Sequence, residues 1–203
     1  MTRTAVLTVG STRFDSLVHS FFQPSVLSAL AALGVSTVFA QVGNSELPIG
    51  WTHGQRKAHG AMQVELVRFA SDVEGRVGRA DIVVSHAGAG SILSFLRPLP
   101  SSSASTSGNA DSSSTTAAAA NPDRRHLILV PNSTLMDSHQ SDLADEMQRK
   151  GWAIVCENPE GLPAALEKLL QAGKAGSALP EPAYLPMDEG KVQRILDETL
   201  GYV

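Results

Sequence analysis

The chain has 203 residues, 42% of them hydrophobic, enough to build a globular core. Its net charge of -4 and sequence pI of about 5.8 argue against a general nucleic-acid binder, and no basic run offers a surface for anionic lipid. The lone cysteine, Cys156, excludes an internal disulfide and a cysteine-based zinc cluster and fits a reducing compartment.

Met1 to Gly10 is too short an apolar run for a signal peptide, and no stretch approaches the roughly 18 apolar residues of a membrane span, so a cytoplasmic location is expected. Thr4 to Val9 reads as a strand ending at Gly10-Ser11-Thr12. Ser16 to Leu33 is helical in pattern, interrupted near Pro24 and stopped by Gly34. Val35 to Val42 alternates β-branched and apolar residues and predicts a second strand. Asn44 to His59 reads as loop, Gln63 to Phe69 as a third strand, and Ser71-Asp72 as the cap of a helix running to about Ala80. Asp81 to Ser85 is a fourth strand, and Ser91 to Arg97 is the helix that follows its glycine turn.

Composition then changes. Leu99 to Asp123 is almost entirely Ser, Ala, Thr, Asn, Gly and Pro, so a disordered insertion is expected over 99-123. His126 to Pro131 resumes as a buried-type strand. Asp137 or Ser138 caps a helix reaching Lys150 and closed by Gly151, and Trp152 to Cys156 predicts another strand. Leu162 to Gln171 is a helix with Pro163 in its first turn, Ala172 to Pro186 is loop-like, and Asp188 to Leu200 is a final amphipathic helix. Alternating strands and helices give an α/β fold, a single Rossmann-like, doubly wound parallel sheet covering 1-203.

Ligands of such sheets bind at the carboxyl ends of the strands. Three polar loops fall there: Gly10-Ser11-Thr12, Ser85 to Ser91, and Pro131-Asn132-Ser133. In the second, an apolar strand runs into Gly88-Ala89-Gly90-Ser91 and a helix, the arrangement that cradles phosphate with backbone N–H groups and a helix dipole. An ordinary strand-to-helix turn has the same pattern. His86 adjoins this turn as a phosphate donor, an acid or base near neutral pH, or a structural histidine bonded to backbone. Asp137, His139 and Gln140 are short hydrogen-bonding groups suited to sugar hydroxyls, or else a cap with two solvated neighbours. The absence of a lysine after the glycines disfavours an NTPase, and the missing third glycine disfavours a nicotinamide enzyme. His53 and His59 have no partner at metal-ligand spacing, so neither a metal nor a cofactor is expected.

Taken together, Val9-Gly10-Ser11-Thr12, Phe14-Asp15, Gln41-Val42-Gly43, Ala80 to Ser91 and Leu135 to Gln140 resemble a known family. It is the cytosolic catalytic subunit of the eukaryotic UDP-N-acetylglucosamine transferase acting on dolichol-linked N-acetylglucosamine, the donor-binding half of a GT-B glycosyltransferase of family 28. The resemblance implies transfer from UDP-N-acetylglucosamine to dolichyl-diphosphate-N-acetylglucosamine with inversion, making a β1,4 linkage. This is the second step of N-glycan precursor assembly. It also implies a membrane-anchored acceptor-binding partner that recruits the chain to the cytosolic face of the endoplasmic reticulum, with 188-203 as a docking element.

By the same resemblance Gly10, Ser11, Thr12 and the Gly88, Ala89, Gly90, Ser91 turn face the diphosphate. His139 and Gln140 read sugar hydroxyls, and Arg68-Phe69 lies near the uracil. Ser94 stands where the family usually carries an acidic residue for the ribose. His86 is the candidate catalytic residue. A noncatalytic nucleotide-sugar-binding or stabilising subunit of a membrane complex is the alternative.

Overall fold

A computed structural model describes residues 3–97, 125–132 and 139–175. The expected insertion at 99-123, the cap at Asp137 or Ser138, and the C-terminal element 188-203 lie outside the described residues.

Among the described residues seven strands form one sheet: β1 (Arg3–Thr8), β2 (Val35–Gln41), β3 (Gln55–His59), β4 (Met62–Val67), β5 (Ile82–Ser85), β6 (His126–Leu129) and β7 (Ile154–Val155). Their spatial order is β3-β4-β2-β1-β5-β6-β7. All neighbours pair in parallel except β3 and β4, which form an antiparallel hairpin. The parallel strands thus have the Rossmann order, with β1 and β5 meeting where the winding reverses. Six α-helices among the described residues cover the sheet: α1 (Asp15–Phe21), α2 (Pro24–Ala32), α3 (Val73–Arg79), α4 (Ala89–Leu96), α5 (His139–Arg149) and α6 (Leu162–Ala175).

Central strands are buried on both faces and are therefore continuously apolar: Ile82, Val83 and Val84 are all fully buried. Alternation along each strand then assigns side chains to two cores. Ala5, Leu7, Val38 and Val84 meet Leu17, Phe21, Leu30, Leu166 and Leu169 of α1, α2 and α6. Val6, Phe39, Val83 and Leu127 meet Val77, Ile92, Phe95 and Met147 of α3, α4 and α5. Pro24 opens α2 at a position where its missing N–H costs nothing.

Three departures from the sequence reading have physical causes. Gln55–His59 is a strand, not loop. It is an edge strand with one apolar residue, Ala58, and draws its stability from pairing with β4 through the two-residue turn Gly60-Ala61. Its charged Arg56 and Lys57 also keep that edge from pairing further. The strand expected over Trp152 to Cys156 is only Ile154–Val155, because the Trp152 amide turns back to the Met147 carbonyl at the end of α5. Helix α6 continues past Gln171 to Ala175.

Phe21 is fully buried and meets Phe22 edge-on at a centroid distance of 5.6 Å. Phe21→Ala is expected to cost about 3–5 kcal/mol of stability in urea denaturation, as large buried aromatics do.

Candidate functional site

Between the carboxyl ends of β1 and β5 lies a cleft of about 450 Å³. The loop after β1 supplies Gly10, Ser11 and Thr12, and the turn after β5 supplies His86, Gly88, Gly90 and Ser91. Phe69, Ala70 and Ser71 after β4, then Val73, Glu74 and Val77 of α3, form the opposite side, and Ser94 reaches in from α4.

The turn after β5 is shaped by backbone conformation. Ala87, buried, has φ 64, a left-handed value that costs a non-glycine residue of order 1 kcal/mol or more. Gly88 is the N-cap of α4 and has no side-chain cap. The Ser91 hydroxyl donates to the Gly88 carbonyl at 2.9 Å and lies 2.7 Å from the Ser85 hydroxyl, which pins the first turn of α4 to β5. The amides of Ala89, Gly90 and Ser91 have no acceptor among the described residues, as is usual in a first helical turn. A Cβ on Gly90 meets nothing within 4 Å. A Cβ on Gly88 falls 2.4 Å from His86 Nε2, and one on Gly10 falls 3.0 Å from His86 Cε1. His86 is thus wedged between the two glycine loops.

Since a carbonyl only accepts, the 3.3 Å contact between His86 Nδ1 and the Thr8 carbonyl places the ring hydrogen on Nδ1. Burial pushes the His86 pKa below its ordinary 6.5, a fall that the Thr8 carbonyl only partly offsets. The ring is neutral near pH 7, with its lone pair on Nε2.

Gln41 lies below both loops. Its Oε1 accepts from the Thr8 hydroxyl at 2.6 Å, and its Nε2 donates to the carbonyls of Gly10 at 2.6 Å and Arg68 at 2.8 Å. Gly43, at φ 53, backs onto the β1 loop so closely that a Cβ there falls 2.4 Å from the Gly10 carbonyl oxygen.

Most of the expected site residues converge. Gly10, Ser11, Thr12, Phe69, His86, Gly88, Gly90, Ser91 and Ser94 line the same cleft. Ser94 donates to the Gly90 carbonyl at 2.8 Å, leaving its oxygen as an acceptor. Ala89 is exposed at the start of α4 and does not line the cleft. Arg68 turns away, donating to the carbonyls of Gly43 and Ser45 at 3.2 and 3.0 Å. His139 and Gln140 open α5 beyond β6, outside the lining. There Gln140 accepts from the Asn132 amide at 3.1 Å, and Asn132 donates from its side chain to the Arg13 carbonyl at 3.2 Å. Sequence reasoning gave no site role to Thr8, Gln41 or Glu74. A signal existed for the first two, each a polar residue ending an apolar strand.

Residues 4–98 match the glycosyltransferase family 28 C-terminal domain. Over 226 aligned residues the chain is 32% identical to the UDP-N-acetylglucosamine transferase subunit ALG13 of Cryptococcus neoformans, covering 98% of this chain and 97% of that one. The chain belongs to the ALG13 family of UDP-N-acetylglucosamine transferase subunits. It is also 27% identical to ALG13 of Yarrowia lipolytica, over 98% of this chain and 84% of the relative. A solution NMR structure of an ALG13 shares the fold, with a TM-score of 0.51, 20% identity and 89% of each chain covered. The ALG13-family chain is thus a transferase subunit, and no helix among its described residues is long and apolar enough to cross a membrane.

Two outcomes are expected. Gln41→Leu strands the Gly10 and Arg68 carbonyls and the Thr8 hydroxyl, and should cost about 1–3 kcal/mol in urea denaturation. His86, and His126 by burial and the nearby Arg3, protonate more readily unfolded than folded. Stability should therefore be unaffected above about pH 6.5 and fall below it, and His86→Asn should flatten that decline in urea titrations at a series of pH values.

Proposed function

We propose that the cleft between β1 and β5 binds UDP-N-acetylglucosamine and that this chain is the donor-binding, catalytic subunit of a two-chain glycosyltransferase. The observation that carries this reading is the convergence of two glycine loops and an uncapped helix N-terminus at the strand-order reversal. The leaving group of the reaction is a diphosphate, so stabilising its charge is the main catalytic task. Backbone amides at the start of α4 supply positive potential fixed in place before the substrate arrives. The open space at Gly90 leaves room for an anion against them.

In this reading Gly10, Ser11, Thr12 and the Gly88 to Ser91 turn hold the diphosphate, and Phe69, exposed at 53%, offers its ring to the uracil. His139 and Gln140 approach the sugar from α5 on the neighbouring side of the site. His86 stands at the leaving-group end and spaces the two loops. An inverting transfer removes the acceptor's proton on the opposite face of the sugar, so the general base belongs to the acceptor side. The acceptor, dolichyl-diphosphate-N-acetylglucosamine, is presented by a membrane-anchored partner subunit that recruits the chain to the cytosolic face of the endoplasmic reticulum. The chain is read as one nucleotide-sugar-binding unit, with 99-123 an insertion within it and 188-203 a partner-docking element.

Gly90→Val tests the site cleanly, because its side chain enters open space, whereas a substitution at Gly88 also displaces His86. In the reconstituted pair, Gly90→Val should lower sugar transfer at least about 100-fold, the scale of losing an oxyanion-type contact, while pairing and melting temperature stay unchanged. Unimpaired transfer would remove the cleft from the reaction. Undiminished donor binding in a pair that never transfers would favour the noncatalytic role.

A further inference from the structure

Glu74 is a carboxylate lining a cleft read as a diphosphate site, and it forms no ion pair among the described residues. It lines the cleft from the first turn of α3 and is exposed. Arg76, the cation nearest to it in the chain, is engaged elsewhere. Its Nε donates to Asp72 at 2.7 Å, and its Nη1 meets Glu65 at 3.4 Å. No described residue pairs with Glu74 or hydrogen-bonds its side chain. Beside the phosphates such a charge opposes binding, so its place along the cleft matters.

The diphosphate end is fixed by Gly10, Gly88, Gly90 and Ser91. Glu74 comes from α3, five residues beyond Phe69 and on the same stretch of lining through Ala70, Ser71 and Val73. That wall belongs to the nucleoside half. From α4, Ser94 also lines the cleft and presents an oxygen whose hydrogen is already committed to the Gly90 carbonyl. The nucleoside half is therefore walled by two acceptors, one of them charged. A carboxylate accepts and does not donate. The matching ligand groups are donors, and a ribose supplies two on adjacent carbons.

We propose that Glu74 binds the 2′ and 3′ hydroxyls of the nucleotide's ribose, with Ser94 accepting alongside it, and so makes the site selective for ribonucleotides. The proposal rests on the nucleotide-sugar reading above. Glu74 holds its charge away from the phosphates and spends it on two charge-assisted hydrogen bonds, the stronger kind.

The test is calorimetric titration of the full chain, alone and paired with the acceptor subunit, comparing wild type with Glu74→Gln and Glu74→Ala. The probes are UDP, UDP lacking its 2′ or 3′ hydroxyl, and inorganic diphosphate. Wild type should prefer UDP over the deoxy forms by roughly tenfold. Both variants should lose UDP affinity by a similar factor and bind the deoxy forms and UDP within about threefold of each other, with diphosphate binding not weakened. Tighter UDP binding by the variants would show that Glu74 merely repels phosphate and would overturn the proposal. So would a retained hydroxyl preference, which places ribose recognition elsewhere, or an equal loss for UDP and the deoxy forms, which points to the uracil N–H. Wild type that binds diphosphate but shows no gain for UDP would instead sink the nucleotide-sugar reading. An unchanged melting temperature of both variants excludes misfolding as the cause of a loss.

Discussion

The site depends on one buried amide. Gln41 ends β2 with its side chain accepting from Thr8 at the end of β1 and donating to Gly10 beyond it and to Arg68 beyond β4. Three adjacent parallel strands are thereby fastened at their carboxyl ends by a group that has little freedom to move. A sheet ladder fixes strands but not the loops after them. Without Gln41 the β1 loop would leave the sheet with its part-buried Gly10 carbonyl unpaired. With it, the loop leaves at a set angle and can pass close under Gly43.

His86 does the matching work on the other side of the reversal. Its ring is held by the Thr8 carbonyl and packed against Gly10 and Gly88, so the loops after β1 and β5 are set apart by the width of an imidazole. Burial keeps that ring uncharged, which suits a spacer more than a cation for phosphate. Among the described residues the positive potential at the cleft then comes from the α4 amides. No lysine or arginine among the described residues lines the cleft of this chain of net charge -4.

Much of this was legible in the sequence. Central strands announced themselves because burial on two faces demands unbroken apolar runs such as Ile82-Val83-Val84. The glycine turn was legible because only small residues permit the close approach. β3 was not, since an edge strand that faces water with Arg56 and Lys57 has no apolar period to read and exists through its partner. Phe69 and Ser94 line the cleft, whereas Arg68 turns to carbonyl partners that lie 23 and 25 residues away in sequence and so leave no local signal. Glu74 escaped notice for a different reason. An acid in the first turn of a helix is ordinary, and only the lining of the cleft separates it from a solvated one.

The hairpin at the sheet edge gives the cleft two unequal ends. β3 has a single sheet neighbour, and its preceding loop is tied to the Phe69 segment by the Arg68 amide donating to His53 Nδ1 at 3.0 Å. The end with the two glycine loops instead grows from β1 and β5, each paired on both sides. Local opening begins where neighbours are fewest. Amide exchange should therefore be fastest around the wall at Phe69 and slowest beneath the glycine loops after β1 and β5. The cleft thus joins a firm floor under its glycine loops to a compliant wall around Phe69.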